Sequence, residues 1–332
     1  MDFQPTEDQR DLRAGVRGLL EGRYGREALR AAVDAAAGTG TGTGTGAAVD
    51  RGLWRELGEA GFFALRLPES EGGVGLGLPE AVLVFEEAGR ALVPGPLVAT
   101  HLAAGVVPGA AAGTAVVTAF DLAGDLAGDL VAYLGEADAV LGAAVLPVGE
   151  PVRAADPLTP LHRVARPGGA EASASASRSA SRSVSRSASV SAYVSEGALL
   201  TAALQVGSAL RTVELAVRYA GEREQFGQPI GAFQAVKHTC AQMLVRAEVA
   251  RTAVYAAAVT GDPGEAAAAK LLADGAAVRN ARDCLQVHGG MGFTWEADVH
   301  LHLKRAWVRA EQWRTAAEAE ELLAAELLDS AG

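Results

Sequence analysis

Arg223 is the side chain here best equipped to hold a phosphate. Its guanidinium is planar, permanently charged and able to donate two parallel bonds. It lies in Tyr219-Ala220-Gly221-Glu222-Arg223-Glu224-Gln225-Phe226-Gly227-Gln228-Pro229-Ile230, followed by Phe233-Gln234. Glu222 and Glu224 offer a competing role, a local salt bridge. Some sixty residues on comes Gln286-Val287-His288-Gly289-Gly290-Met291-Gly292-Phe293. Its glycines would let backbone amides approach a ligand, or simply terminate a helix. Glu296, Asp298, His300 and His302 cluster in sequence. Residues two apart on a helix face apart, and no cysteine or third histidine stands near, so no metal site is expected.

The elements that must position these residues are mostly helical. The chain has 332 residues, 49% of them hydrophobic, enough for two or three subdomains around a substantial core. Alanine dominates, and alanine favours helices that pack closely. A formal charge of −11 argues against a nucleic-acid partner. Cys240 and Cys284 sit in helical patterns and read as small buried residues rather than a disulfide. The amino terminus carries no basic-then-apolar signal, and no apolar run reaches the ~18 residues of a membrane span. A cytoplasmic protein is expected.

Residues 3–35 predict one amphipathic helix, with Thr6 as its cap. Gly38 to Gly46 alternates glycine with threonine and predicts a solvent loop. Helices follow from Asp50 to about Ala60 and from Pro79 to Arg90, the second closed by Pro94-Gly95-Pro96. Between them, Leu67 to Gly77 is a glycine-rich turn without dinucleotide-binding spacing. From 105 to 194, Ala115–Phe120, Leu130–Leu134, Ala139–Leu141 and Ala144–Leu146 predict short strands. Asp156 to Arg163 predicts a turn-rich connection. The serine-rich stretch 172–191 cannot bury an apolar face and predicts a loop or a poorly ordered edge. From about Glu196 the chain predicts four long helices: one to about Tyr219, then Phe233–Val259, Gly264–Val287 and Val299–Leu328.

In their order and spacing, the two motifs resemble the carboxy-terminal helical domain of the acyl-CoA dehydrogenases. The Pro68-Glu69-Ser70-Glu71-Gly72-Gly73-Val74-Gly75 turn, ahead of a Leu-, Val- and Glu-rich helix, is similar to that family's amino-terminal domain. The likeness covers most of 195–315 and, more loosely, 1–105. It implies a mostly α chain with a small β-domain: an amino-terminal helical domain (1–104), a shortened middle β-domain (105–194) and a carboxy-terminal four-helix bundle (195–332). It also implies FAD as cofactor, much of it housed in a neighbouring subunit. In the family, the residue matching Arg223 reaches the FAD diphosphate. Phe226 and Gln234 match contacts to the adenosine end. Gln286, Gly289 and Gly290 match a loop packed on ribose and diphosphate. Thr315 matches the threonine of the family's "Tyr-Glu-Gly-Thr" turn.

The family's α,β-dehydrogenation of an acyl thioester needs a carboxylate base for the α proton, while the flavin accepts hydride from the β carbon. In that turn this chain reads Gln312-Trp313-Arg314-Thr315, with an indole where the base stands. The family's alternative base position falls on Gly197. Glu196, one residue away, is rotated by about 100° on a helix, and Glu311 lies two residues before Trp313. The family's flavin-covering "Thr-Glu-Pro … Gly-Ser-Asp" and "Trp-x-Thr/Ser" elements are missing between 105 and 194, where no tryptophan occurs. No catalytic residue is therefore assigned. The pattern implies a degenerate subunit that completes the FAD site of a paralogous acyl-CoA dehydrogenase subunit. A homo-oligomer (dimer or tetramer) using Glu196 or Glu311, or a non-redox scaffold, is the alternative. The acyl group and its carrier are not legible.

Overall fold

Thr6 sets the first helix. Its hydroxyl accepts from the Gln9 amide at 3.2 Å, and the Gln9 side chain accepts from the Thr6 amide at 3.0 Å. This reciprocal capping box opens α1 (Glu7–Arg23). The computed structural model describes residues 5–38, 49–122, 128–165 and 193–330. The Gly-Thr alternation beyond Gly38 and the serine-rich stretch 172–191 lie outside them. The single helix expected over 3–35 is two: Tyr24-Gly25 separates α1 from α2 (Arg26–Gly38). Asp50 caps α3 (Arg51–Glu59) by accepting from the amides of Gly52 and Leu53.

Helix α4 (Leu78–Arg90) has proline in its first turn and is buried along most of its length. Its two buried carboxylates are matched from outside. Arg13 bridges Glu86 at 2.5 Å and Glu87 at 2.6 Å, Arg17 reaches Glu87 at 2.7 Å, and the Tyr255 hydroxyl donates to Glu86 at 2.7 Å. These bonds pin α1 and the carboxy-terminal helices to α4. Pro94-Gly95-Pro96 interrupts the helical region without ending it, because α5 (Leu97–Leu102) follows at once.

The middle region is small. Strands β1 (Val117–Thr118) and β3 (Ala139–Val140) pair in parallel, while β2 (Asp129–Ala132), β5 (Leu161–Val164) and β4 (Glu150–Val152) form an antiparallel sheet in the order β2-β5-β4. The expected strand at Ala144–Leu146 does not form; Val145 is exposed and pairs with nothing in the sheets. The end of the expected turn Asp156–Arg163 is instead part of β5.

Helices α6 (Val194–Glu222), α7 (Gln234–Thr260) and α8 (Pro263–His288) pack on one another, and α9 (Val299–Glu311) and α10 (Ala316–Ser330) pack against α8. The helix expected from Val299 to Leu328 is therefore broken. Its break, Gln312 to Thr315, is held by tertiary bonds: the Trp313 amide donates to Asp121 O at 2.6 Å, and the Gln312 side chain donates to Asp121 Oδ2 at 2.8 Å. These contacts override a helical sequence pattern and leave Trp313 at φ 61°. The fold is mostly α with a small β-domain: helical at the amino end, β in the middle, helical at the carboxy end. No helix among the described residues is long and apolar enough to cross a membrane.

Candidate functional site

The two motifs meet at one end of the helical domain. Tyr219, four residues before Arg223, stacks on His288 with ring centroids 4.2 Å apart and planes 22° apart. His288 Nδ1 is 2.8 Å from Cys284 O, so this nitrogen carries the proton and donates. Burial pushes the His288 pKa down, with Arg218 adding to the effect, so the ring stays neutral at pH 7 and stacks without charge.

From that junction the sequence builds an exposed arm. Arg223 ends α6, and its carbonyl accepts from the Ile230 amide at 2.7 Å. Between them β6 (Glu224–Gln225) and β7 (Gln228–Pro229) form a hairpin whose tip is Phe226-Gly227. Both tip residues have positive φ, 53° and 77°. For glycine this costs nothing; for phenylalanine it costs about 1 kcal/mol or more. Phe226 is also 92% exposed, with the Phe233 ring edge-on to it at 6.1 Å between centroids. The Arg223 guanidinium is exposed and has no ion-pair partner among the described residues, so neither Glu222 nor Glu224 takes it. Gln234 is exposed at the start of α7, and Gln286 is exposed on the last turn of α8.

Gly289 and Gly290 follow Gln286. Gly289 stops α8 at φ 58°. Gly290 has no such backbone need, and a Cβ at either position would meet open space. Nothing within the chain requires glycine at 290. Bare backbone at 289–290, the unpaired Arg223 and the exposed Phe226 thus flank the Tyr219–His288 junction in sequence.

Thr315 is placed differently. It is 8% exposed and caps α10, its hydroxyl donating to Glu318 at 3.1 Å and accepting from the Glu318 amide at 3.3 Å.

Trp313 is 1% exposed, and its indole lies directly against Gly197. A Cβ at 197 would fall within 3.0 Å of three indole carbons. The two positions at which the sequence resemblance leads us to expect a base are thus in contact. The cavity beside them, bounded by Thr118, Asp121, Tyr133, Arg305, Arg309 and Trp313, has a volume of about 30 Å³. That holds a water or so, against roughly 300 Å³ or more for a small-molecule site. Neither a flavin ring nor an acyl group fits in it.

The neighbouring carboxylates are engaged or remote. Glu196 is ion-paired with Arg66. Glu311 is exposed at the end of α9. Behind Trp313, Arg305 is paired with the buried Asp156 and donates to Val93 O at 3.2 Å. Arg309 is buried, and its Nη1 donates to Leu204 O at 3.2 Å. Burial, reinforced by Arg305, brings its pKa down to about 9. The carboxylate that lines this cavity, Asp121, accepts from the Gln312 side chain at 2.8 Å, so two arginines face two engaged carboxylates here.

Sequence reasoning had no signal for Arg66 as the partner of Glu196, nor for Asp121 as the anchor of the Trp313 loop. Both lie over a hundred residues from what they bind. Gly197 did leave a trace: it is a glycine near the start of a long Ala- and Leu-rich helix, where alanine would be favoured by about 1 kcal/mol.

Comparison with known proteins follows the same division. Residues 6–119 match the acyl-CoA dehydrogenase amino-terminal domain, and residues 188–317 match the acyl-CoA dehydrogenase carboxy-terminal domain. Acyl-CoA dehydrogenase IpdE2 of Mycobacterium tuberculosis is 34% identical, over 98% of this chain and 99% of that one. Its namesake in Mycolicibacterium smegmatis is 33% identical over 91% of this chain and 93% of its own length. The ChsE4–ChsE5 complex from Mycobacterium tuberculosis contains a chain that superposes with a TM-score of 0.77 at 25% identity, covering 99% of each.

Proposed function

Because this chain belongs to the acyl-CoA dehydrogenase family, we propose that it is the non-catalytic member of a heteromeric enzyme. That enzyme introduces a double bond α,β to an acyl thioester, and this chain completes the FAD site of a paralogous partner. The observation that carries the proposal is the Trp313 indole seated on Gly197, which removes both base positions at once. The exposed arm supports the other half: Arg223, Phe226, Gln234, Gln286, Gly289 and Gly290 face outward, and four of these are side chains with little to hold within the chain. In the partner's site Arg223 would hold the diphosphate, Phe226 would lie on the adenine, and the 289–290 backbone would admit the ribose. Thr315 could join only by giving up its cap of α10, so the proposal rests on the other six. The structural relative solved as the ChsE4–ChsE5 complex supports a paralogous partner.

Co-expression with paralogous acyl-CoA dehydrogenases, followed by a flavin count per chain, tests this. The expected result is a two-chain assembly with fewer FAD than chains, whose flavin content falls when Arg223→Gln is introduced here. A homo-oligomer of this chain with one FAD per subunit refutes it.

A further inference from the structure

A second, larger cavity lies between the first two helices and the rest of the molecule. It has a volume of about 440 Å³, within the range of small-molecule sites. One wall is the α1 face carrying Arg17, Leu20 and Tyr24, continued by Arg26 and Leu29 of α2. The other is the end of α4, with Arg90 and Leu92, and the α6 face with Arg211, Leu215 and Arg218.

The charge of this cleft runs against that of the chain. The protein as a whole carries −11, yet five arginines line the cleft against three carboxylates, Glu21, Glu87 and Asp298. Glu87 is bound by Arg17, Asp298 by Arg26, and Arg90 and Arg211 share Glu214. Arg218 is thus left as a cation without an ion-pair partner among the described residues, and a concave low-dielectric wall concentrates its field.

One further feature suits an anion. Gly25 lines the cleft where α2 begins, its carbonyl accepting from the Leu29 amide at 3.0 Å, and it has no side chain to cap the first amides of that helix. Leu20, Leu29, Leu92 and Leu215 supply the apolar lining, with His302 beside them.

We propose that this cleft binds an organic monoanion, a carboxylate on an apolar body, with Arg218 holding the carboxylate and the four leucines covering the body. The cleft shares no lining residue with Arg223, Phe226, Gln234, Gln286, Gly289 or Gly290, and decanoate binding to the chain alone is read without the partner.

Decanoate is the probe, with decanol as its uncharged counterpart, each titrated calorimetrically into the purified chain. Decanoate is expected to bind once per chain, and decanol at least about tenfold more weakly, the worth of a charge-assisted bond. Arg218→Gln, on an exposed position, should weaken decanoate by about tenfold while leaving decanol unchanged. Ala91→Trp, which fills the cleft without altering any charge, should abolish binding of both. Circular dichroism and a thermal melt confirm that each variant folds; if Ala91→Trp does not, Leu92→Phe takes its place. Absence of decanoate binding, equal affinity for decanol, or binding that survives both the Arg218→Gln and the cleft-filling substitution overturns the proposal.

Discussion

Gly197 should reverse the sign of its response to alanine when Trp313 is removed. In the intact protein, Gly197→Ala places a methyl group within 3.0 Å of three carbons of an indole that is itself 1% exposed and has nowhere to move. Overpacking of this kind costs about 1–3 kcal/mol, while alanine returns up to about 1 kcal/mol of helix propensity. The net expectation is destabilisation of about 1–2 kcal/mol. Trp313→Ala alone should cost about 3–5 kcal/mol as a cavity. In that background the clash is gone. Gly197→Ala should then stabilise by about 0.5–1 kcal/mol, leaving a coupling of about 2 kcal/mol between the two sites. Urea unfolding followed by circular dichroism on the four members of the cycle measures it. Equal effects of Gly197→Ala in both backgrounds would show that the indole does not occupy the base position, and the argument for a non-catalytic subunit would lose its foundation.

Phe226→Gly should leave the isolated chain as stable or up to about 1 kcal/mol more stable, since it relieves a left-handed backbone at a 92% exposed residue. The same change should lower the flavin content of the assembled enzyme, read from its visible spectrum. Glu196→Gln and Glu311→Gln should each leave thioester oxidation by that enzyme unchanged, and Glu196→Gln should cost under about 1 kcal/mol for the part-exposed pair with Arg66; a loss of turnover in either would assign it as a base. Acid should destabilise the fold through His101 and His302, whose pKa values burial lowers to about 4 and about 3, with nearby arginines contributing. Both are neutral in the folded protein while the unfolded chain takes up protons below its usual histidine pKa. Stability is therefore complete above pH 6.5 and falls as pH drops toward 4, approaching about 1.4 kcal/mol per pH unit for each histidine. His101→Gln should reduce that slope in melts between pH 7 and 5; an unchanged slope would discount His101.

Much of the architecture was legible because periodicity and caps are local. Thr6, Asp50, Pro79, Gly261 and Gly289 mark helix ends by their own backbone chemistry, and the two motifs are contiguous runs. Two of the boundaries that were not legible share one reason. The break between α9 and α10 sits in a helical pattern and depends on Asp121, far away in sequence, offering its carbonyl and carboxylate to residues 312 and 313. The strand at Leu161–Val164 likewise depends on partners at 129–132 and 150–152.

For the site, sequence alone decided which chemical groups are present: an arginine and glycines suited to a diphosphate, and no carboxylate at either base position. It could not decide what those groups touch. Only the folded chain stacked Tyr219 on His288 to bring both motifs together, tied Glu196 to Arg66, and laid Trp313 on Gly197. Side-chain identity is written residue by residue, whereas occupancy of a cavity is a property of packing among segments that meet only when the core forms.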